Sequence, residues 1–334
     1  MGKAYTGIDI GTGQVKLVVC EPNGSIRHAA VCPVPDQLVR EGRIVSPEAM
    51  SDFLRDAARE HKIKVRDCAV ILPAALAFTR RLSVPLMTEE QLKLNLPYEF
   101  RDFITQEKDK YVYDYAVVGR LKDEAGRDTE LDLMAAAALK STISGYTAMM
   151  RRAGFKLRIA APAEFAYANL LRRYETAHPS EGPGEYCIID LGHSATRIHI
   201  FTGGRFEVTK VIDCGCALLD RVIADALHVD QHIAATYKSM NHNDVQSLEG
   251  CRSIYHTIAV EIMRAVNFYS FTNPDSRLAN AYYCGGGARI PLLLEDIAAT
   301  IGLGLHSMEL LMPDAGQNVE HLLLCPAAVG MTQQ

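Results

Sequence analysis

Between Asp9 and Lys16 the chain reads Asp-Ile-Gly-Thr-Gly-Gln-Val-Lys, with a carboxylate and an ammonium on either side of a glycine-containing loop. Glycine turns leave backbone N–H groups free to meet phosphate oxygens, Thr12 adds a hydroxyl donor and Lys16 a point charge. A dinucleotide fingerprint needs a third glycine and a helix straight after the loop, and a P-loop needs G-x-x-x-x-G-K-[ST], again running into a helix. Here Val15 to Val19 follow as a β-branched apolar run, and Tyr5 to Ile10 precede as another. Strand, turn, strand predicts a β-hairpin as the phosphate-binding device. A single such turn decides nothing, because Asp and Gly are common in ordinary hairpins.

The pattern returns at residues 186–213, where Asp190-Leu-Gly192-His193-Ser194-Ala195-Thr196 again joins two strands. Each copy carries a second turn, at Pro22–Gly24 and at Thr202–Gly204. Two copies of one supersecondary unit predict an internally duplicated, two-lobed α/β protein. A third glycine run, Gly285-Gly286-Gly287-Ala288, follows the strand-like Tyr282–Cys284 and permits close backbone approach to a ligand.

The elements that position these turns alternate between strand and helix. Residues 46–61 predict a helix capped by Ser46, with Pro47 in its first turn and Met50, Phe53, Leu54 and Ala57 on one face. Residues 67–73 predict a buried strand closed by Pro73. A different region follows at about 80–158. It holds a helix capped by Thr88 and Gln91, an aromatic segment around Tyr98, Phe100 and Phe103, and strands YVYDYAVVG and ELDLMAAAAL around a charged turn. A helix at about 141–154 and the strand KLRIAA close the region. The Pro- and Gly-containing stretch 176–185 marks the next boundary.

Bulk properties limit the functions. A length of 334 residues suits about two domains. With 48% apolar residues the chain can bury large cores, and a net charge of −5 gives a general nucleic-acid role no support. The longest apolar run, residues 68–78, is too short to cross a bilayer, and the N-terminus enters a strand without a secretory pattern. Nine scattered cysteines predict reduced thiols in a cytoplasmic protein. Cys214 and Cys216 lack a second ligand-like pair, so they read as small buried hydrophobes.

Taken together and in order, the three motifs resemble those of the actin-like ATPase superfamily: D-x-G-[ST]-G-x-x-K at Asp9–Lys16, D-x-G-x-G-x-T at Asp190–Thr196, and the adenosine motif at 282–293. Within it, the segments 82–104, 161–171 and 261–290 resemble the PilM family of type IV pilus assembly proteins, relatives of FtsA. The resemblance implies an α/β, duplicated actin-like (ribonuclease H-like) two-lobed fold with a small α+β insertion. The first lobe would take residues 1–80 and 159–182, the insertion 81–158, and the second lobe 183–334 with a helical part at about 216–270.

It implies ATP and Mg²⁺ as ligands. Asp9, Gly11, Thr12, Gly13, Gln14 and Lys16 would bind nucleotide from the first lobe. Asp190, Gly192, His193, Ser194, Thr196, Glu261, Arg264, Gly285, Gly286, Gly287 and Ala288 would bind it from the second. Asp9 and Asp190 would face each other across a cleft and hold Mg²⁺ largely through water. Two roles stay open on the residues alone. Glu164 either orients an attacking water or simply suits a helix first turn. Glu261 and Arg264 either line the ribose or form a surface i, i+3 pair.

His193-Ser194-Ala195 departs from the glycine pattern, and Cβ atoms there restrict the turn. Slow or negligible turnover is therefore expected.

Three function classes follow. The first is a cytoplasmic ATP-binding assembly protein, recruited to the inner face of the membrane by the cytoplasmic tail of a PilN-like protein. That tail would lie in a groove of Phe78, Arg80, Leu82, Tyr98, Phe100 and Phe103, an aromatic surface suited to peptides. A small-molecule kinase would need a catalytic carboxylate beside a polar substrate pocket, which the insertion does not offer. A membrane-tethered filament former would need a terminal amphipathic helix, which CPAAVGMTQQ does not supply. The first class fits best.

Overall fold

The computed structural model describes residues 3–35, 38–40, 42–316 and 319–333. Its chain divides into two units. The first holds Met1–Arg173, Pro313–Glu320 and Ala327–Gln334, and the second holds Tyr174–Met312 and His321–Pro326. The division expected at 182/183 thus falls at Arg173, and most of the last twenty or so residues belong with the first unit.

In the first unit the hairpin strands β1 (Tyr5–Ile10) and β2 (Gln14–Cys20) lead into β3 (Ile26–Pro33). A small ribbon, β4 (Val39–Arg40) and β5 (Arg43–Ile44), precedes helix α1 (Pro47–Glu60) and strand β6 (Asp67–Leu72). Ser46 caps α1 by accepting a hydrogen bond from the Ala49 N–H, and Pro47 begins it, as its sequence predicts. An inserted module follows: β7 (Ala77–Pro85), α2 (Glu89–Glu99), β8 (Tyr111–Lys122) and β9 (Asp128–Leu139). Helix α3 (Lys140–Arg152), strand β10 (Lys156–Pro162) and helix α4 (Ala163–Ala177) return to the main body.

The main sheet has the order β10-β6-β1-β2-β3, with β1, β6 and β10 parallel. Met50 and Leu54 of α1 pack on it together with Tyr146, Met149 and Met150 of α3. Helix α3, expected in the insertion, is therefore part of the main core. The insertion proper is the sheet β7-β9-β8 covered by α2, with its own interior of Leu82, Leu92, Leu96, Phe100 and Leu133. Thr88 and Gln91 form both halves of the capping box that starts α2. Residues near the C-terminus complete the unit: Ile26 donates to Asp314 O, the Gly316 N–H donates back to Ile26 O, and Ala328 and Val329 are fully buried.

The second unit repeats the plan. Strands β11 (Glu185–Leu191), β12 (Thr196–Thr202) and β13 (Arg205–Ile212) are followed by helices α5 (Cys216–Leu227), α6 (Gln231–Met240) and α7 (Glu249–Thr272). Then come β14 (Asn280–Cys284), α8 (Pro291–Thr300) and β15 (Gly304–Ser307), while the short helix α9 (Pro326–Gly330) belongs from Ala327 onward to the first unit. The sheet order β13-β12-β11-β14-β15 is that of the first unit element for element: hairpin, third antiparallel strand, then two parallel neighbours of the first strand. The duplication read in the motifs is thus the duplication of the fold. The helical stretch expected near 216–270 is α5 to α7, whose apolar faces cover this sheet.

Candidate functional site

In the first hairpin the register places Asp9 directly opposite Lys16. The Lys16 Nζ lies 2.9 Å from Asp9 Oδ2, and both side chains keep partial solvent access. The turn between them is closed by a hydrogen bond from the Gly11 N–H to Gln14 O at 2.9 Å, and Gly13 O accepts from the Val34 N–H. A Cβ at Gly11 would stand 3.0 Å from Gln14 O and 3.2 Å from the Lys16 Nζ. Glycine therefore keeps the Lys16 ammonium seated over the turn. Thr12, Gly13 and Gln14 are half-buried at its rim. The carboxyl ends of β1, β6 and β10 share this edge, which is where open α/β sheets bind ligands. Glu164 stands on the same edge, in the first turn of α4, and is buried.

The second hairpin is built alike. Asp190 is opposite Arg197, at the same seven-residue spacing as Asp9 and Lys16. Gly192 closes the turn by donating to Ala195 O, and His193 and Ser194 stand exposed at its tip. The turn is seated on the N-terminus of α5, whose Cys216 and Ala217 N–H groups donate to Gly192 O and His193 O. Two of the helix donors that could meet an anion are thereby used within the protein. Gly215 makes this seat possible, since a Cβ there would stand 2.5 Å from His193 O. Thr196, expected to touch nucleotide, is buried and donates its hydroxyl to Cys214 O at 2.9 Å, tying the hairpin to the segment before α5. Cys214 and Cys216 are buried free thiols, and burial pushes Cys216 up to about 11.

The three glycines after β14 divide in role. Gly285 has φ +89°, and a Cβ there would stand 2.6 Å from Asp190 Oδ1 and 2.8 Å from Leu191 O. Gly287 is buried, with a Cβ position 2.8 Å from Leu191 Cβ and 3.0 Å from the Cys216 Sγ. These two pack the strand end against the hairpin. Gly286 alone of the run is exposed and open, with nothing within 4 Å of its Cβ position. Ala288 is buried. Of this run, only Gly286 has open space beside it.

Glu261 and Arg264 pair with each other, one turn apart on the exposed side of α7. The expected partner groove is also revised. Leu82 and Phe100 lie in the insertion's own core and cannot line a surface. Phe78 is half-buried and packs against Tyr111. The accessible aromatics are Tyr98, 56% exposed beneath the Lys108 ammonium, and Phe103, 43% exposed with the Arg80 guanidinium 4.0 Å above its ring. Phe103 meets Arg80 of β7, one edge strand of the inserted sheet, whereas Tyr98 meets Lys108, which precedes β8 at the other edge.

Three residues of the second turn's surroundings are not singled out by the motifs. Arg197 is legible by its spacing from Asp190. Asp220 and Lys238 come from different helices: the Lys238 Nζ lies 2.6 Å from Asp220 Oδ1 and donates to Cys216 O, while the His193 Nδ1 lies 4.0 Å from Asp220 Oδ2. Partial desolvation where the turn is seated on the protein, with the nearby Lys238 ammonium adding to it, holds the His193 imidazole below its ordinary value against the opposing pull of Asp220.

Among the described residues no three His, Cys, Asp or Glu side chains cluster as a metal cage. The available donors are the hard carboxylate oxygens of Asp9 and Asp190, which suit Mg²⁺ held mainly by water and phosphate. No helix of the described residues is long and apolar enough to cross a membrane.

A family model described as type IV pilus assembly protein PilM matches residues 7–314. Among solved structures, the chain is similar to the PilM–PilN type IV pilus biogenesis complex, with 19% identity over 98% of this chain and 97% of that one and a TM-score of 0.82. It is similar to the ethanolamine utilization protein EutJ from Carboxydothermus hydrogenoformans, at 15% identity over 100% and 90% of the chains with a TM-score of 0.61. It also resembles a ROK family glucokinase from Streptomyces griseus in complex with glucose and AMPPNP, at 12% identity over 99% and 98% with a TM-score of 0.50. No curated protein sequence matches it significantly.

Proposed function

The chain belongs to the type IV pilus assembly PilM family, and from that premise we propose that it serves pilus assembly as an ATP-binding protein docking a membrane partner. The observation that carries this reading is the duplicated hairpin: a carboxylate faces a cation across each glycine turn, at the carboxyl ends of two sheets of the same order. In this reading the glycine turns give backbone donors to nucleotide phosphates, and Lys16 and Arg197, each beside its own turn, neutralise them. At each hairpin the aspartate, Asp9 or Asp190, would hold Mg²⁺ through water, which spreads the phosphate charge. Gly286 lets the backbone approach the nucleoside, and Glu164 orients a water. The fold shared with a glucokinase that holds AMPPNP supports the nucleotide.

Turnover is slow in this reading. His193 and Ser194 put side chains where a more permissive turn has glycine, and two α5 donors are already committed to the turn's own carbonyls. Nucleotide thus acts as a structural ligand.

The partner is the short cytoplasmic tail of a PilN-like inner-membrane protein, a component named in the related complex. It adds as an extended strand along β7 and places apolar side chains against Tyr98 and Phe103. The protein itself is thereby held at the cytoplasmic face of the membrane. Titrating the tail peptide into the full chain tests this. Saturable binding that weakens in Tyr98→Ala and Phe103→Ala supports the reading, and unchanged affinity in both variants removes it.

A further inference from the structure

At the opposite edge of the first unit's sheet from the Gly11–Gly13 turn lies a cavity of about 520 Å³. It is bordered by the residues that precede β6 and β10, strands parallel to β1, so it is spatially distinct from the hairpin site. It is an open depression with a mainly apolar surface that includes Ile63 and Ala153, and Arg55, Arg59, Lys62, Lys64 and Arg66 border it while no carboxylate does. The chain as a whole carries a net charge of −5, so this concentration of one sign runs against its average.

The local backbone argues that the charge has a use. Helix α1 ends in a reversed turn in which the Lys62 N–H donates to Arg59 O and the Ile63 N–H to Ala58 O. Lys62 occupies the left-handed region at φ +54°, where glycine is the favoured residue and a side chain is costly. The chain nevertheless carries a lysine there, aimed into the cavity rim. The helix dipole accounts for Arg59 in the last turn of α1, but Lys64 and Arg66 lie beyond the helix. Arg55 and Arg59 are held by Asp52 and Asp56 from within α1, and the Arg66 guanidinium stands over the Phe155 ring. Lys62 and Lys64 make no ion pair among the described residues.

We infer that this cavity is a second anion site, for a ligand carrying two or more phosphate charges. Its volume falls in the range of small-molecule pockets, about 300–1,000 Å³. Cations on a preformed rim, with guanidiniums already oriented by their own partners, favour phosphate oxygens over a single carboxylate. The inference does not depend on nucleotide binding at the hairpins.

Calorimetric titration of the full-length chain with inorganic tripolyphosphate tests it, in a Lys16→Ala background so that the hairpin does not contribute. The diagnostic variant is Lys62→Gly combined with Lys64→Ala. Glycine relieves the left-handed backbone, so this variant unfolds no earlier than its parent, yet its tripolyphosphate affinity falls by about tenfold or more. Raising salt from low to physiological levels weakens the parent's binding. Sedimentation with phosphatidylglycerol vesicles separates a lipid-borne phosphate from a free one, and binding in either arm that is lost in the variant supports the site. Equal affinity in parent and variant, binding in neither arm, or tighter binding of an oligoglutamate peptide overturns it.

Discussion

The glycine run after β14 allows packing and ligand approach to be separated one residue at a time. In Gly285→Ala the new methyl would stand 2.6 Å from Asp190 Oδ1 and 2.8 Å from Leu191 O, with the backbone held at φ +89°. The left-handed conformation costs a residue with Cβ about 1–2 kcal/mol. Crowding against a backbone carbonyl that cannot swing aside adds about 1–3 kcal/mol. A loss of about 3 kcal/mol is expected, which lowers the melting temperature by roughly 6–12 °C in a unit of this size. In Gly286→Ala the methyl meets nothing within 4 Å and φ is not left-handed, so stability stays within about 0.5 kcal/mol of the parent. Any loss of ATP affinity in Gly286→Ala therefore reports on the ligand. Urea denaturation and calorimetric ATP titration of both variants make the comparison. A Gly286→Ala protein as unstable as Gly285→Ala would refute the division of roles, as would a Gly285→Ala protein that melts with the parent.

Lys16→Met removes a partly exposed ion pair, so it changes stability by less than about 1 kcal/mol while weakening ATP by tenfold or more, read by denaturation and titration side by side. His193 has a folded pKa below its ordinary 6.5, so the unfolded chain takes up the proton first and acid destabilises the fold. As pH falls from 6.5 through the lower folded value, stability declines, and melting curves of His193→Gln decline less over that window. Phe100→Ala opens the insertion's core and costs about 3–5 kcal/mol, whereas Tyr98→Ala leaves stability nearly unchanged and weakens the tail peptide; denaturation and peptide titration distinguish them.

Much of the site's architecture is written locally. A hairpin announces itself because strand patterning and turn residues sit side by side, and the repeat of Asp-x-Gly with a cation seven residues on carries the pairing of Asp9 with Lys16 and Asp190 with Arg197. The caps of α1 and α2 are equally local. What escapes is set by distant partners. An amphipathic helix reads the same whichever sheet it covers, so α3 is assigned to the insertion although it packs in the main core. Residue type does not tell an aromatic anchor from a core residue, and Phe100 is the latter while Tyr98 and Phe103 are not. The pair of Asp220 and Lys238 joins two helices, and nothing in either segment announces it. Thr196 fits the phosphate motif by position, yet its hydroxyl is spent on Cys214 O.

The central claim is that the hairpin turns of this PilM-family chain bind nucleotide phosphates. Thermal unfolding of the wild type, Asp9→Asn and Asp190→Asn with and without saturating Mg·ATP tests it most directly. At about 100 times the dissociation constant the ligand stabilises the wild type by about 2.7 kcal/mol, a shift of several degrees. Each single variant, folded and from a different unit, is predicted to lose most of that shift. A full shift in either variant would contradict that hairpin's part in the binding, and no shift in the wild type would contradict nucleotide binding itself.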